Sequence, residues 1–372
     1  MMTKIQYEEA NPTHWIKVLG KTPIFLFPAR IVGGHELMAV EIIKEITLLG
    51  ANVTCLVEPS NKKLFTLLSN DDFKSSNIIP LPFCQPQLEF LHAIFNVISI
   101  RKAESFIVDV TSKEHSAFLL VQGDIEIGSI YLKAANKRSI SYISYLPFTH
   151  SAVLMGKKFA AIRKRFSDYL YKITKNYVTI SSVFQYELYS LSPGCQVELI
   201  RNKIRCLDYF KECRAKYLLT REDVFFNIFI IGRVSYRQKG HDILLDAISR
   251  LDKNICADIR LNVVGDGDDF IDFKKCCLTK FPWLNTNFLG WHQEPWLVSY
   301  FADLLIIPSR FEGVPLVMLE AQELGIPIVA SNRDGMREYL SPDCLFNEEN
   351  VDSLTIKLTE FIECNSKSRR TT

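Results

Sequence analysis

Short, almost wholly apolar runs alternate with helix-length amphipathic stretches along most of this chain, and that rhythm constrains the fold more than any other feature. In the second half the runs are FNIFII at 226–231, IRLNVV at 259–264, ADLLIIP at 302–308 and IPIVA at 326–330, each followed by a helical period. Strands that are apolar on both faces must be covered on both faces, and the right-handed crossovers between parallel strands place helices there. The first half shows the same scheme less cleanly, with PIFLF at 23–27, NVTCLV at 52–57, SFIVDV at 105–110, SISYIS at 139–144 and YVTI at 177–180. Between the first two, His35 to Gly50 carries apolar residues at helical spacing and ends in a glycine suited to a C-cap, which predicts a βαβ opening.

With 372 residues the chain exceeds one ordinary core and suits two domains. The stretch from Val197 to Arg221 leaves the strand rhythm and carries mixed charge. The expected organisation is therefore an α/β pair of doubly wound, Rossmann-like domains, 1–205 and 206–350, facing a central cleft. A C-terminal helix and tail over 351–372 is expected to pack back on the first domain, with Ser366–Thr372 frayed. Ligands of such sheets bind beyond the carboxyl ends of the strands, so the residues just after each strand are the ones that matter.

Composition removes several classes. The 48% hydrophobic and 23% charged fractions argue against disorder, and a net charge of +2 is too small for nucleic-acid binding by bulk electrostatics. The ten cysteines contain no CxxC pair, so neither a zinc ribbon nor a disulfide scaffold is expected. The N-terminal MMTKIQYEEANPTHW lacks a signal-type apolar core, and no apolar stretch of about 18 residues occurs. The expectation is a cytoplasmic protein, peripheral at most on the inner face of the cytoplasmic membrane.

After FNIFII comes Gly232-Arg233-Val-Ser-Tyr-Arg-Gln-Lys239-Gly240, then the helical HDILLDAISRL. A strand end, a glycine turn, two cations and a helix N-terminus together suit an anion, and a diphosphate fits best. The plainer alternative is a pair of solvated loop charges. A second segment, Ser309-Arg310-Phe311-Glu312-Gly313-Val314-Pro315-Leu316-Val317-Met318-Leu319-Glu320, also follows a strand. Pro315 suits the first helical position. Glu320 then falls among apolar residues, where a buried carboxylate needs a partner.

Glu312 and Glu320 are separated by seven residues, and the E-x7-E of EGVPLVMLE, preceded by GR…KG and by the turn Gly265-Asp266-Gly267, resembles the retaining glycosyltransferases of family 4, the group 1 glycosyltransferases of GT-B fold. The resemblance is strong over 225–345 and weaker before it. It implies that Gly232, Arg233, Lys239 and Gly265 line the donor diphosphate, that Glu312 meets the hydroxyls of the transferred sugar, and that Glu320 meets the nucleotide ribose. The amides around Gly313, Val314 and Leu316 would add donors, whereas Pro315 has none to give. Trp291, in the loop after a short strand at 287–289, corresponds to the base-contacting position, with plain core packing as the alternative. Ile200-Arg201-Asn202-Lys203 and Asn332-Arg333-Asp334-Gly335 depart from the family's usual Pro-Asn-Gly and double-glycine turns.

On the acceptor side, Gly33-Gly34 sits between the first strand and helix, as in the family, with a simple positive-φ turn as the alternative. His150, in LPFTHS after SISYIS, corresponds to a cleft-facing histidine that the resemblance implies contacts the donor sugar. A histidine there is otherwise a capping or packing residue. The segment Gly156–Lys175 holds seven cations and one acid, a net +6, with Phe159, Ile162, Phe166, Tyr169, Leu170 and Ile173 at helical spacing. Such a helix packs its apolar face inward while its basic rim suits an anionic membrane surface or a lipid diphosphate.

The function implied is transfer of a hexose from a UDP- or GDP-sugar to a glycan or lipid-linked acceptor, in cell-surface polysaccharide or lipopolysaccharide synthesis, with retention and with no metal. His150, Glu312, Arg233 and Lys239 would carry catalysis. Stabilising the leaving diphosphate matters more than a strong base in this chemistry. Three competing readings stand beside it. Asp266 and Asp268 formally supply the DxD of a metal-dependent GT-A-like transferase. A dinucleotide-dependent oxidoreductase fails because Phe270 fills the third glycine position. A non-catalytic sugar-nucleotide-binding protein would keep the same charged set.

Overall fold

The computed structural model describes residues 12–20, 22–70, 73, 76–114, 117–221 and 223–369, with backbone alone at 12–14, 113–114 and 365–369. They fall into two compact units that part between Lys203 and Ile204. In the first unit β1 (Ile24–Phe27), β2 (Thr54–Val57), β3 (Asn77–Pro80), β4 (Phe118–Val121), β5 (Tyr142–Tyr145), β6 (Asn176–Thr179) and β7 (Gln196–Leu199) form one parallel sheet in the order β3-β2-β1-β4-β5-β6-β7. In the second unit β8 (Phe226–Ile231), β9 (Ile259–Val264), β10 (Asn285–Gly290), β11 (Leu304–Ile307), β12 (Ile328–Ser331) and β13 (Leu345–Phe346) are likewise parallel, in the order β10-β9-β8-β11-β12-β13.

Burial explains the strands. All four residues of β1, β2, β4 and β11 are buried, as two-sided coverage by helices requires. The second sheet has its first strand, β8, at the centre, with Ile228 between Leu261 of β9 and Leu304 of β11. The chain winds outward first through β9 and then through β11, so the carboxyl ends of β8 and β11 flank the crevice where such sheets take ligands.

Some elements differ from the sequence expectation. Ser105–Val110 is not a strand: it lies in the helix Val97–Glu114, where Ala103, Ile107 and Val110 share a buried face at helical spacing. The strands β3, β4, β7 and β13 were not anticipated. Pro315 is the N-cap, with φ −61° and ψ 123°, and the helix Leu316–Glu323 begins one residue later than expected. The last helix is Val351–Arg369, so Ser366–Arg369 of the supposed tail is helical, and 370–372 lie outside the described residues. Leu354, Leu358 and Ile362 of this helix join Ile243 and Ile248 in the core of the second unit, and Thr355 Oγ1 donates to the Ala247 carbonyl at 3.2 Å.

Candidate active site

Two glycine turns shape the crevice floor. After β8, Gly232 N–H donates to the Val264 carbonyl at 2.9 Å, and after β9, Asp266 accepts from Val234 N–H at 3.0 Å. The turns interlock so closely that a Cβ on Gly265, whose φ is +146°, would stand 1.9 Å from the Gly232 carbonyl oxygen. Gly240 follows Lys239 at φ +65°, and a Cβ there would stand 2.0 Å from the Pro308 carbonyl oxygen at the end of β11. The GR…KG segment is thus pressed against the neighbouring strand, and glycine alone permits the approach.

That approach brings Lys239 to Glu312. Lys239 Nζ pairs with Glu312 Oε1, and Ser309 Oγ donates to the same oxygen at 2.8 Å. The Glu312 amide donates to Asp334 Oδ2 at 2.8 Å, an oxygen that also accepts from Arg333 Nε at 3.1 Å. Gly335 N–H donates to the Gly313 carbonyl at 3.2 Å. The Asn332–Gly335 loop therefore fixes the Glu312-Gly313 backbone from behind. Arg310 clamps the same segment to the helix after Lys239 through a bidentate pair with Asp242, at 2.8 and 2.7 Å. Arg233 is exposed beside this array. Gly232, Arg233, Lys239, Ser309 and Val317 line one open crevice between the ends of β8 and β11. Val314 and Leu316 flank Pro315 at the start of the adjoining helix.

Glu320 is buried, and burial pushes its carboxyl above the ordinary range while Arg205 and Trp296 oppose the shift. Arg205 Nε donates to Oε1 at 2.9 Å and Trp296 Nε1 to Oε2 at 2.7 Å. Arg205 also pairs with Glu294. The partner that the sequence demanded for Glu320 is this pair. Trp291 is 58% exposed after β10, which removes the core-packing alternative for it. Trp296, a residue sequence reasoning did not single out, is the buried tryptophan among the described residues of this unit.

Asp266 Oδ1 accepts from Gly267 N–H of its own turn at 2.8 Å, and Asp268 is exposed. Among the described residues no group of three His, Cys, Asp or Glu side chains is placed to hold a metal ion.

In the first unit Gly33 caps the helix Gly34–Leu48 with φ −111°, not a positive value, and its N–H donates to Glu36 Oε2 at 2.7 Å. Glu36 is fully buried, with Oε1 2.6 Å from His35 Nε2. His150 is half-buried after β5, stacked on Phe148 at 4.9 Å and edge-on to Phe184 at 5.5 Å. The basic segment forms the helix Ala160–Ile173, and its six spaced apolar residues divide. Phe166 and Leu170 are buried, whereas Phe159, Ile162 and Tyr169 are exposed beside Lys158, Lys164, Arg165 and Lys172. Two of its cations turn inward: Arg163 pairs with Glu126, and Lys157 lies 2.9 Å from Asp124. Among the described residues no helix is long and apolar enough to cross a membrane.

Comparisons with known proteins bear on the family and the fold. The family model described as Glycosyl transferases group 1 matches residues 217–372. An uncharacterised 41.2 kDa protein of the cps region of Klebsiella pneumoniae is 25% identical over 331 residues, covering 80% of this chain and 82% of the relative. The lipopolysaccharide 1,6-galactosyltransferase of Escherichia coli K12 is 33% identical over 123 residues, 30% of this chain and 32% of that enzyme. Among solved structures, Anabaena Alr3699/HepE in complex with UDP and glucose superposes with a TM-score of 0.69 at 17% identity, covering 93% of this chain and 90% of the other, a likeness of fold.

Proposed function

From the match of residues 217–372 to the group 1 glycosyltransferases, we propose that the chain is a member of that family and transfers a hexose, with retention of anomeric configuration, from a UDP- or GDP-sugar to a hydroxyl of a glycan or lipid-linked acceptor in cell-surface polysaccharide synthesis. The observation that carries the reading is the single array at the switch crevice, where Lys239, Ser309 and the Asp334-held loop fix Glu312 beside exposed Arg233. Arg233 and Lys239 offset the charge that grows on the departing diphosphate. Glu312 accepts hydrogen bonds from the sugar hydroxyls, and Glu320, kept partnered by Arg205 and Trp296, retains lone pairs for the ribose diol. Gly232 and Gly265 let phosphate approach backbone, Gly313, Val314 and Leu316 border it at the helix start, and Trp291 serves the base.

The leaving diphosphate takes the acceptor proton, so no protein nucleophile is needed, and no metal is required in this reading. In the first unit His150 meets the donor sugar, and the Gly33-Gly34 turn lets backbone come close to phosphate or sugar. The UDP complex of the Anabaena structure and the lipopolysaccharide acceptor named for the Escherichia coli relative support the donor and acceptor classes. The exposed Phe159, Ile162 and Tyr169 among cations support contact with an anionic membrane surface.

The deciding experiment is a thermal-shift screen over UDP-, GDP- and ADP-sugars followed by transfer assays, since a bound donor raises stability by mass action. Stabilisation by a UDP- or GDP-sugar, transfer that survives excess EDTA and a product keeping the donor's anomeric configuration by NMR support the reading. Loss of transfer in EDTA would favour the Asp266/Asp268 metal site, and binding without any transfer a non-catalytic protein. Flotation with anionic liposomes tests the membrane contact.

A further inference from the structure

His241 carries chemistry that the donor-site reading leaves unused. It opens the helix His241–Ser249, is 1% exposed, and lines the crevice with Gly232, Arg233, Lys239 and Ser309. Its ring stands edge-on to Phe273 with centroids 5.1 Å apart. Neither Nδ1 nor Nε2 makes a hydrogen bond to the described protein. The Ser235 carbonyl flanks the ring without reaching hydrogen-bond geometry.

A neutral imidazole offers one N–H donor and one acceptor, and burying both unpaired incurs their full desolvation penalty. Such a residue is explained when the missing partner arrives with a ligand. The crevice offers Lys239 and Arg233 to that ligand, so its nearest groups are anionic oxygens, which accept and do not donate. Burial pushes the ring down to about 4, Lys239 adds to the shift, and the Ser235 carbonyl, Asp242 and Asp269 only partly oppose it. Near neutral pH the ring is an uncharged, directional donor.

We propose that His241 is a third contact for the donor diphosphate, its neutral imidazole donating one ring N–H to a phosphoryl oxygen that Arg233 and Lys239 attract. The proposal rests on the donor-site reading above. The two cations draw the diphosphate in, and a ring packed edge-on to Phe273 gives it one orientation. This divides attraction from alignment within a single crevice.

The test uses the full chain and titrates UDP, GDP and ADP calorimetrically into wild type, Lys239→Ala, His241→Phe and His241→Gln. His241→Phe keeps a ring on Phe273 and deletes both nitrogens. It is expected to weaken the nucleoside diphosphate that wild type binds by about tenfold. At the same time it is expected to raise the unfolding temperature, because two unpaired buried nitrogens disappear. His241→Gln keeps a donor and retains most of the affinity. Wild-type affinity in His241→Phe overturns the contact, and overturns it alone if Lys239→Ala still binds poorly. Wild type binding none of the three overturns the donor-site reading as well. Nitrogen NMR of the wild-type ring, assigned with His241→Gln, decides the matter if His241→Phe does not fold: a ring signal unmoved at saturating nucleoside diphosphate overturns the proposal, and a shifted one supports it.

Discussion

The indole N–H of Trp296 donates to Oε2 of Glu320 at 2.7 Å, while Arg205 holds Oε1 at 2.9 Å, so a carboxylate buried among Met318, Leu319 and Ala321 keeps both oxygens partnered. Trp296→Phe preserves most of the packing and removes one donor. The deprived carboxylate is expected to cost about 1–3 kcal/mol of stability. Chemical denaturation of the variant checks this, and an unchanged midpoint would show that Arg205 alone satisfies Glu320.

Lys239 and Glu312 touch, so their contributions to turnover are coupled. Each of Lys239→Ala and Glu312→Ala is expected to lower the transfer rate by about 10²–10³-fold, the range seen when one preorganised electrostatic contact to a transition state is removed. The double variant is expected to lose less than the product of the two, because residues in contact are not additive. Transfer rates at saturating donor, with circular dichroism to confirm the fold, complete the cycle. Near-normal turnover in either single variant would remove Glu312 and Lys239 from the reaction.

Gly265→Ala places a methyl carbon 1.9 Å from the Gly232 carbonyl oxygen in a backbone at φ +146°. Backbone cannot yield as a side-chain tip would, and a loss above about 4 kcal/mol is expected. Gly290→Ala is the control: its φ is +72°, but nothing lies within 4 Å of the added carbon. Only the left-handed backbone penalty remains there, roughly 1–2 kcal/mol. Thermal melts of the two variants should differ sharply, and equal losses would show that φ, not contact, decides both.

These residues also mark what was legible in the sequence. FNIFII and IRLNVV are long and buried throughout or nearly so, and six-residue apolar runs read as strands directly. β3 includes Pro80 and is half-exposed at a sheet edge, and β7 buries only one residue fully, so neither carries the apolar continuity that gave the others away. SFIVDV has strand-like composition, yet Ala103 before it and Ile107 and Val110 within it set a helical period that the longer segment obeys. Glu312 and Glu320 were visible because their spacing is local. Arg205 lies 115 residues from Glu320 and Asp334 lies 22 from Glu312, so no window of sequence reveals those pairings. The burial of Trp296 is a similar case, following from tertiary packing alone.

Glu89 and His241 should contribute to the pH dependence of their two units in opposite directions. Glu89 in the first unit is buried and is pushed up to about 7 by that burial, although it accepts from the Gly128 and Ile130 amides at 3.1 and 3.3 Å. Its folded value lies above the unfolded 4.5, so its contribution is complete below 4.5 and is lost as pH rises through 7. His241 in the second unit is pushed down to about 4 from 6.5, so its contribution is complete above 6.5 and is lost as pH falls through 4. Each shift is worth at most about 3 kcal/mol. Hydrogen exchange from pH 4 to 8 follows the units separately. Glu89→Gln should flatten the decline of the first unit toward pH 8, and His241→Phe the decline of the second toward pH 4. If both units instead weaken together toward acid, and Glu89→Gln leaves the first unit's profile unchanged, the Glu89 carboxyl is ionised in the fold and its donors, the Gly128 and Ile130 amides and the Gln85 side chain, outweigh its burial.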